Sequence, residues 1–215
     1  MLRRTKMTNT SWTKVVTLTA LLLAAVSARA AETINIDFDF DAAAGQHVGA
    51  DGILSDVGTY WNHVFPTPTS YSNFLNEAGS PTTVGMFYNL DHWSIPNWYF
   101  GGSYTNTIQN GGLLTGGRSF YINFTGLDPD QEHDVAVYFS HSSSRVTVYG
   151  RNGTHTISPV ASPTGNLPGT ADRDYVLVTN VLPYTSGKIN IYASYLYSSY
   201  LAGVQIRENS KPLFK

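Results

Sequence analysis

The chain has 215 residues with thirteen Lys and Arg against fifteen Asp and Glu, a net charge of −2, and no cysteine. Without cysteine there are no disulfides, thiolate metal ligands or cysteine nucleophiles. The near-neutral to acidic balance argues against a nucleic-acid partner, whose phosphates repel such a surface.

Residues 1–30 read as a signal peptide: Arg3, Arg4, Lys6 and Lys14 precede the apolar run Val15–Ala28, and Ala28-Arg29-Ala30 offers small residues for cleavage. The run is shorter than the ~20 residues of a membrane span. The expectation is cleavage after Ala30 and a secreted or periplasmic mature chain, 31–215, forming one domain without membrane insertion. Cleavage removes five basic residues (Arg3, Arg4, Lys6, Lys14, Arg29), leaving eight against fifteen acids, a net charge of −7.

The mature chain is rich in Gly, Tyr, Thr, Ser and Asn, and no long window has a helical apolar period, so strands are expected throughout. In chain order the predicted strands begin with "TINIDFDF" (33–40), "TYWNHVF" (59–65) and "TVGMFYNL" (83–90). "SFYINFTGL" (119–127), "HDVAVYFS" (133–140), "RVTVYG" (145–150) and "HTISPV" (155–160) follow. "DYVLVTNV" (174–181), "KINIYASY" (188–195) and "LAGVQIRE" (201–208) complete about ten. Asn152-Gly153 between two of them signals a hairpin. Two long irregular stretches, 91–117 and 162–173, interrupt the pattern. The fold class expected is all-β, an antiparallel β-sandwich of jelly-roll type.

Three pieces carry a family resemblance: "INIDF" followed by "GTYWN" (58–62), "FTGLDPDQEHDVAVYF" (124–139), and the closing pair "GKINIYAS" and "LAGVQIRE". Together they resemble the galactose-binding-like jelly-roll modules of secreted bacterial proteins, many of which bind carbohydrate. The turn before the return strand often ends in Tyr in such modules; His133 stands there in this chain. The resemblance implies the fold, a glycan ligand and, in many members, a structural calcium.

In the first strand Asp37, Asp39 and Asp41 fall on one side at every second position. Same-face residues lie roughly 6.5–7 Å apart, so all three carboxylates cannot reach one calcium from a straight strand. Asp37 and Asp39 are the candidate metal ligands; the competing and favoured reading is a solvated outer face. No catalytic residue is assigned: no nucleophile elbow, zinc-binding His-Glu-x-x-His or phosphate loop is present. The six histidines read as ordinary strand-end polar residues.

"DHWSIPNWYF" (91–100) concentrates aromatics beside hydroxyl-bonding groups. Sugar rings pair an apolar C–H face with a rim of hydroxyls, which suits aromatic and polar side chains together. Asp91, His92, Trp93, Asn97, Trp98 and Tyr99 are therefore the candidate glycan-binding residues, against the reading that the tryptophans plug the sandwich. The phenolic stretch Tyr192–Tyr200 reads first as cross-strand pairing, and Trp61 as core. A secreted lectin-like binding module is the leading expectation; a structural or adhesive envelope protein and a small glycoside-active enzyme are the alternatives.

Overall fold

The computed structural model describes residues 32–38, 52–54, 60–64, 69–90, 97–98, 113–114, 119–141, 145–158, 175–194 and 200–209. These carry thirteen strands: β1 (Thr33–Asp37), β2 (Asn62–His63), β3 (Ser70–Tyr71), β4 (Gly85–Leu90), β5 (Asn97–Trp98), β6 (Leu113–Leu114), β7 (Phe120–Thr125), β8 (His133–His141), β9 (Arg145–Gly150), β10 (Gly153–Ile157), β11 (Tyr175–Val181), β12 (Ile189–Ser194) and β13 (Tyr200–Glu208). No helix occurs among the described residues. All ten predicted strands are present. "TYWNHVF" shrinks to Asn62–His63, and β3, β5 and β6, two residues each, have no sequence period to announce them.

One sheet runs β11-β8-β13-β1-β2, with β6 on β13 and β5 on β6; the other runs β10-β9-β12-β7-β4-β3. Eight of the strands form a jelly roll. An antiparallel ribbon pairs β1 with β13, β7 with β12, β8 with β11, and β9 with β10. Wrapping that ribbon around a barrel sets β13 beside β8 and β12 beside β9. The Asn152-Gly153 signal sits at the ribbon's tip, where Gly150 pairs with Gly153.

Strand alternation fills the space between the sheets. Ile34 and Ile36, Met86 and Tyr88, Ile122 and Phe124, Val135 and Val137, Val146 and Val148, Ile189 and Ile191, and Val204 and Ile206 all point into one core. Part of the opposite face of the seven-stranded sheet is buried as well. Leu54, Trp61, Ala136, Tyr138 and Ala202 form a second apolar cluster there, so Trp61 is core as the sequence suggests.

That second cover corrects the favoured reading of the first strand. Every residue of β1 is buried, and Asp37 is 1% exposed, so its side is not a solvated face. The polar phase of β1 lies under chain that sequence periodicity does not reveal. Asn35 Nδ2 donates to the Tyr60 carbonyl (2.9 Å), Gln205 Nε2 donates to Asn35 Oδ1 (2.7 Å), and Tyr138 donates to Gln205 Oε1. Leu54 N–H donates to the same Gln205 oxygen and Ile53 N–H to the Tyr138 hydroxyl.

Candidate functional site

Connectivity gives the sandwich two unlike ends. Starting from β1, the antiparallel pairings put the C-terminal ends of β1, β4, β8, β10 and β12 at one end, with the N-terminal ends of β7, β9, β11 and β13. The connections 142–144, 158–174 and 195–199 leave and return there, and 91–119 leaves β4 and returns to β7 there. The opposite end is closed by the short turns 126–132, 151–152 and 182–188. The long stretches singled out in the sequence thus all rise from one end.

Of the candidate glycan-binding residues, Asn97 and Trp98 lie in β5. Asn97 is in register with Leu114 and Trp98 with Leu113, and those two residues pair with Tyr200 and Leu201 of β13. They therefore sit two strands from β13, past the point where β1 stops pairing at Gly203. Asp91, His92, Trp93 and Tyr99 lie outside the described residues, as does Asp39. Asp37 is beside His63 across the parallel β1–β2 pair, with Nδ1 4.0 Å from the carboxylate. Calcium takes six to eight oxygens. Asp37 supplies at most two, and no group of three or more His, Asp or Glu that could hold a metal occurs among the described residues. The described residues do not by themselves compose a calcium site.

The six-stranded sheet presents a surface that the sequence reading missed. Its inward phase is core; its outward phase falls into two cross-strand rows. One row reads Ser70, Phe87, Asn123, Asn190, Tyr149, Thr154 across β3-β4-β7-β12-β9-β10. The next reads Asn89, Tyr121, Tyr192, Thr147, Thr156 across β4-β7-β12-β9-β10. Each of the four strands β4, β7, β12 and β9 contributes one aromatic and one amide or hydroxyl: the outer two strands put the aromatic in the first row, the inner two in the second. The result is a central tyrosine pair flanked by Phe87 and Tyr149, with no charged side chain in either row.

Phe87 and Tyr121 are 42% and 40% exposed, unusual for large aromatics in the middle of a strand. Tyr192, the one member singled out in the sequence, is the cross-strand partner expected of it. Its ring lies 4.6 Å from that of Tyr121, tilted by 36°. A hydrogen bond of 2.8 Å between the Tyr192 and Ser119 hydroxyls fixes its orientation. The Thr147 and Thr156 hydroxyls are 3.1 Å apart. Asn190 Oδ1, in the middle of the first row, is buried and has no hydrogen-bond partner within the protein, so the amide would have to turn outward to meet a ligand. Such a face offers rings for C–H surfaces and amides for hydroxyls.

No protein-family model matches the chain, and no curated protein matches it. Among solved structures, a Bacillus subtilis protein, YxiM, known from an X-ray crystal structure, is similar at 13% identity with a TM-score of 0.36. The match covers 83% of this chain and 40% of that one, so the chain spans less than half the length of that protein.

A signal for the aromatic–amide face did exist in the sequence. In "GMFYNL", "FYINFT", "RVTVYG" and "INIYAS" the phase opposite the core residues carries an aromatic where strands usually show a charge or a small polar group. Each strand alone reads as ordinary β propensity; only alignment in register exposes the pattern.

Proposed function

We propose that the protein is an exported, non-catalytic carbohydrate-binding β-sandwich whose binding surface is the outward face of the six-stranded sheet. The two rows that set Phe87, Tyr121, Tyr192 and Tyr149 among Asn89, Asn123 and Asn190 carry this reading. Aromatic rings stack on the apolar faces of sugars, and neighbouring amides exchange hydrogen bonds with ring hydroxyls. The two rows hold no carboxylate, so the face has no acid–base pair to hydrolyse a glycosidic bond. Asn97 and Trp98 lie in β5 of the other sheet and are not part of this face; with Asp91, His92, Trp93 and Tyr99 of the same segment they form a second candidate surface.

Binding to a polysaccharide panel by isothermal titration, with circular dichroism as the folding control, tests the reading. Tyr121→Ala is expected to leave the fold intact and to weaken binding about ten- to a hundredfold, on the order of 1–3 kcal/mol for one stacking aromatic. Trp98→Ala reports on the second candidate surface in the same assay. No glycan bound by the folded wild type would defeat the proposal. Unchanged affinity in Tyr121→Ala together with a loss in Trp98→Ala would move the surface to the β5 segment of the other sheet.

A further inference from the structure

The layout of the same face also specifies what kind of glycan it would take. Resting on the carbohydrate-binding reading above, we infer that the ligand is an extended, uncharged polysaccharide chain laid across the strands, and not a single sugar or a uronic-acid polymer.

Length comes from the spacing of the aromatic stations. Neighbouring strands lie about 4.8 Å apart, so six strands give the face a span of roughly 24 Å. Phe87 on β4 and Tyr149 on β9 are three strand intervals apart in one row, roughly 14 Å. The Tyr121–Tyr192 pair stands between them in the next row, roughly 7 Å away along the strands. One sugar ring covers one station. Engaging all three needs several consecutive rings, and the chain that connects them must run across the strands, zigzagging between the rows. The Asn123–Asn190 pair lies opposite the tyrosine pair, where hydroxyls of a ring stacked there would fall.

Neutrality comes from what the rows lack. Recognition of carboxylate or sulfate calls for Arg or Lys aimed at the anion. Neither row contains one. The nearest cations along the line of β9 are Arg145, one same-face step beyond Thr147 and opposite Ser194, and Arg151, one step beyond Tyr149, whose guanidinium donates to the Pro129 carbonyl and lies 3.8 Å from the Asp130 carboxylate. Lys188 precedes β12 at the opposite edge. With the amino-terminal segment removed the chain carries a net charge of −7, which repels polyanions at long range.

The test is a length series of linear neutral oligosaccharides, from the single sugar upward, titrated alongside a polyuronate at low salt. Affinity for neutral chains is expected to rise at least tenfold with length and then level off once the chain spans the face. Phe87→Ala and Tyr149→Ala should each abolish most of that gain while leaving the weak binding of short ligands at Tyr121–Tyr192. Tyr149→Phe, which keeps the ring, should retain it. A single sugar that binds as tightly as the polymer, or a polyuronate that matches the neutral chain, would overturn the inference while the carbohydrate reading stands. Absence of binding to every glycan would remove both.

Discussion

At the scale of single residues, His133 shows how burial decides chemistry. It opens β8 between Val181 of β11 and Glu208 of β13 and is 2% exposed. Burial, which disfavours the charged ring, lowers its pKa from the usual 6.5 to about 4. A hydrogen bond between Nδ1 and the Gln131 carbonyl (3.0 Å) and the nearby Asp128 and Asp134 oppose the shift without reversing it. Sequence reading placed this histidine at a strand start but expected an ordinary surface residue; the strands that cover it come from distant parts of the chain. The consequence is a pH dependence with a definite sign. Between pH 4 and 6.5 the unfolded histidine binds a proton that the folded one refuses, so folding stability rises with pH across that window. The full effect is on the order of 3 kcal/mol, or roughly 6–12 °C in melting midpoint. Carboxylates add slope of the same sign, so the measurement is a difference: His133→Gln should melt with a shallower pH dependence than wild type between pH 4 and 6.5. Parallel profiles for the two proteins would show that His133 carries no such linkage.

At the scale of the element, β1 marks where sequence periodicity stops being informative. Alternation gave its phase correctly: Ile34 and Ile36 face the main core. It also put Asn35 and Asp37 on the other face, as the structure does. Alternation cannot say whether that other face meets water. Here it meets Gly52–Leu54 and Tyr60–Trp61, short stretches without a period of their own. Gly52 sits so close to the Gln205 side chain that a β-carbon there would collide with it. Covering polar strand residues is costly unless they are paired, and the Asn35–Gln205–Tyr138 chain of hydrogen bonds supplies the pairing. Burial holds the Tyr138 hydroxyl well above the usual phenol pKa, which keeps it a donor at any physiological pH. Tyr138→Phe takes away the donor to Gln205 and the acceptor for the Ile53 N–H while leaving the ring against Trp61. The expected cost is about 1–3 kcal/mol, the penalty for stranding buried polar partners. Urea unfolding measures it, and a variant as stable as wild type would mean that the network contributes nothing net.

At the scale of the whole molecule, the jelly roll was legible because its ribbon has a visible tip at Asn152-Gly153 and because all eight of its strands could be read from the sequence. The aromatic–amide face was not, since it exists only once β4, β7, β12 and β9 lie in register. The division between the two ends follows from the topology, and the tight-turn end lies outside both rows of the proposed surface. At the tight-turn end, Gly126 (φ 77°) and Gly187 (φ 70°) occupy left-handed conformations in the turns after β7 and before β12. The turns lock together: Leu127 N–H donates to the Gly187 carbonyl at 3.2 Å, and Thr83 Oγ1 donates to the Gly126 carbonyl at 3.0 Å. A β-carbon on Gly126 would collide with the backbone carbonyl of Thr83, which cannot swing aside as a side chain would. Gly126→Ala therefore combines the cost of an L-residue at positive φ, about 1–2 kcal/mol, with overpacking of about 1–3 kcal/mol. For a chain of this size that amounts to a fall of roughly 5–15 °C in melting midpoint. The substitution touches neither row of the aromatic face, so glycan affinity at a temperature where the variant is still folded should equal that of wild type. Thermal melting and titration on the same sample check both halves. A midpoint within a degree of wild type would show that the turn relaxes around the methyl group, and a loss of affinity in the folded variant would show that the turn and the sheet face are coupled after all.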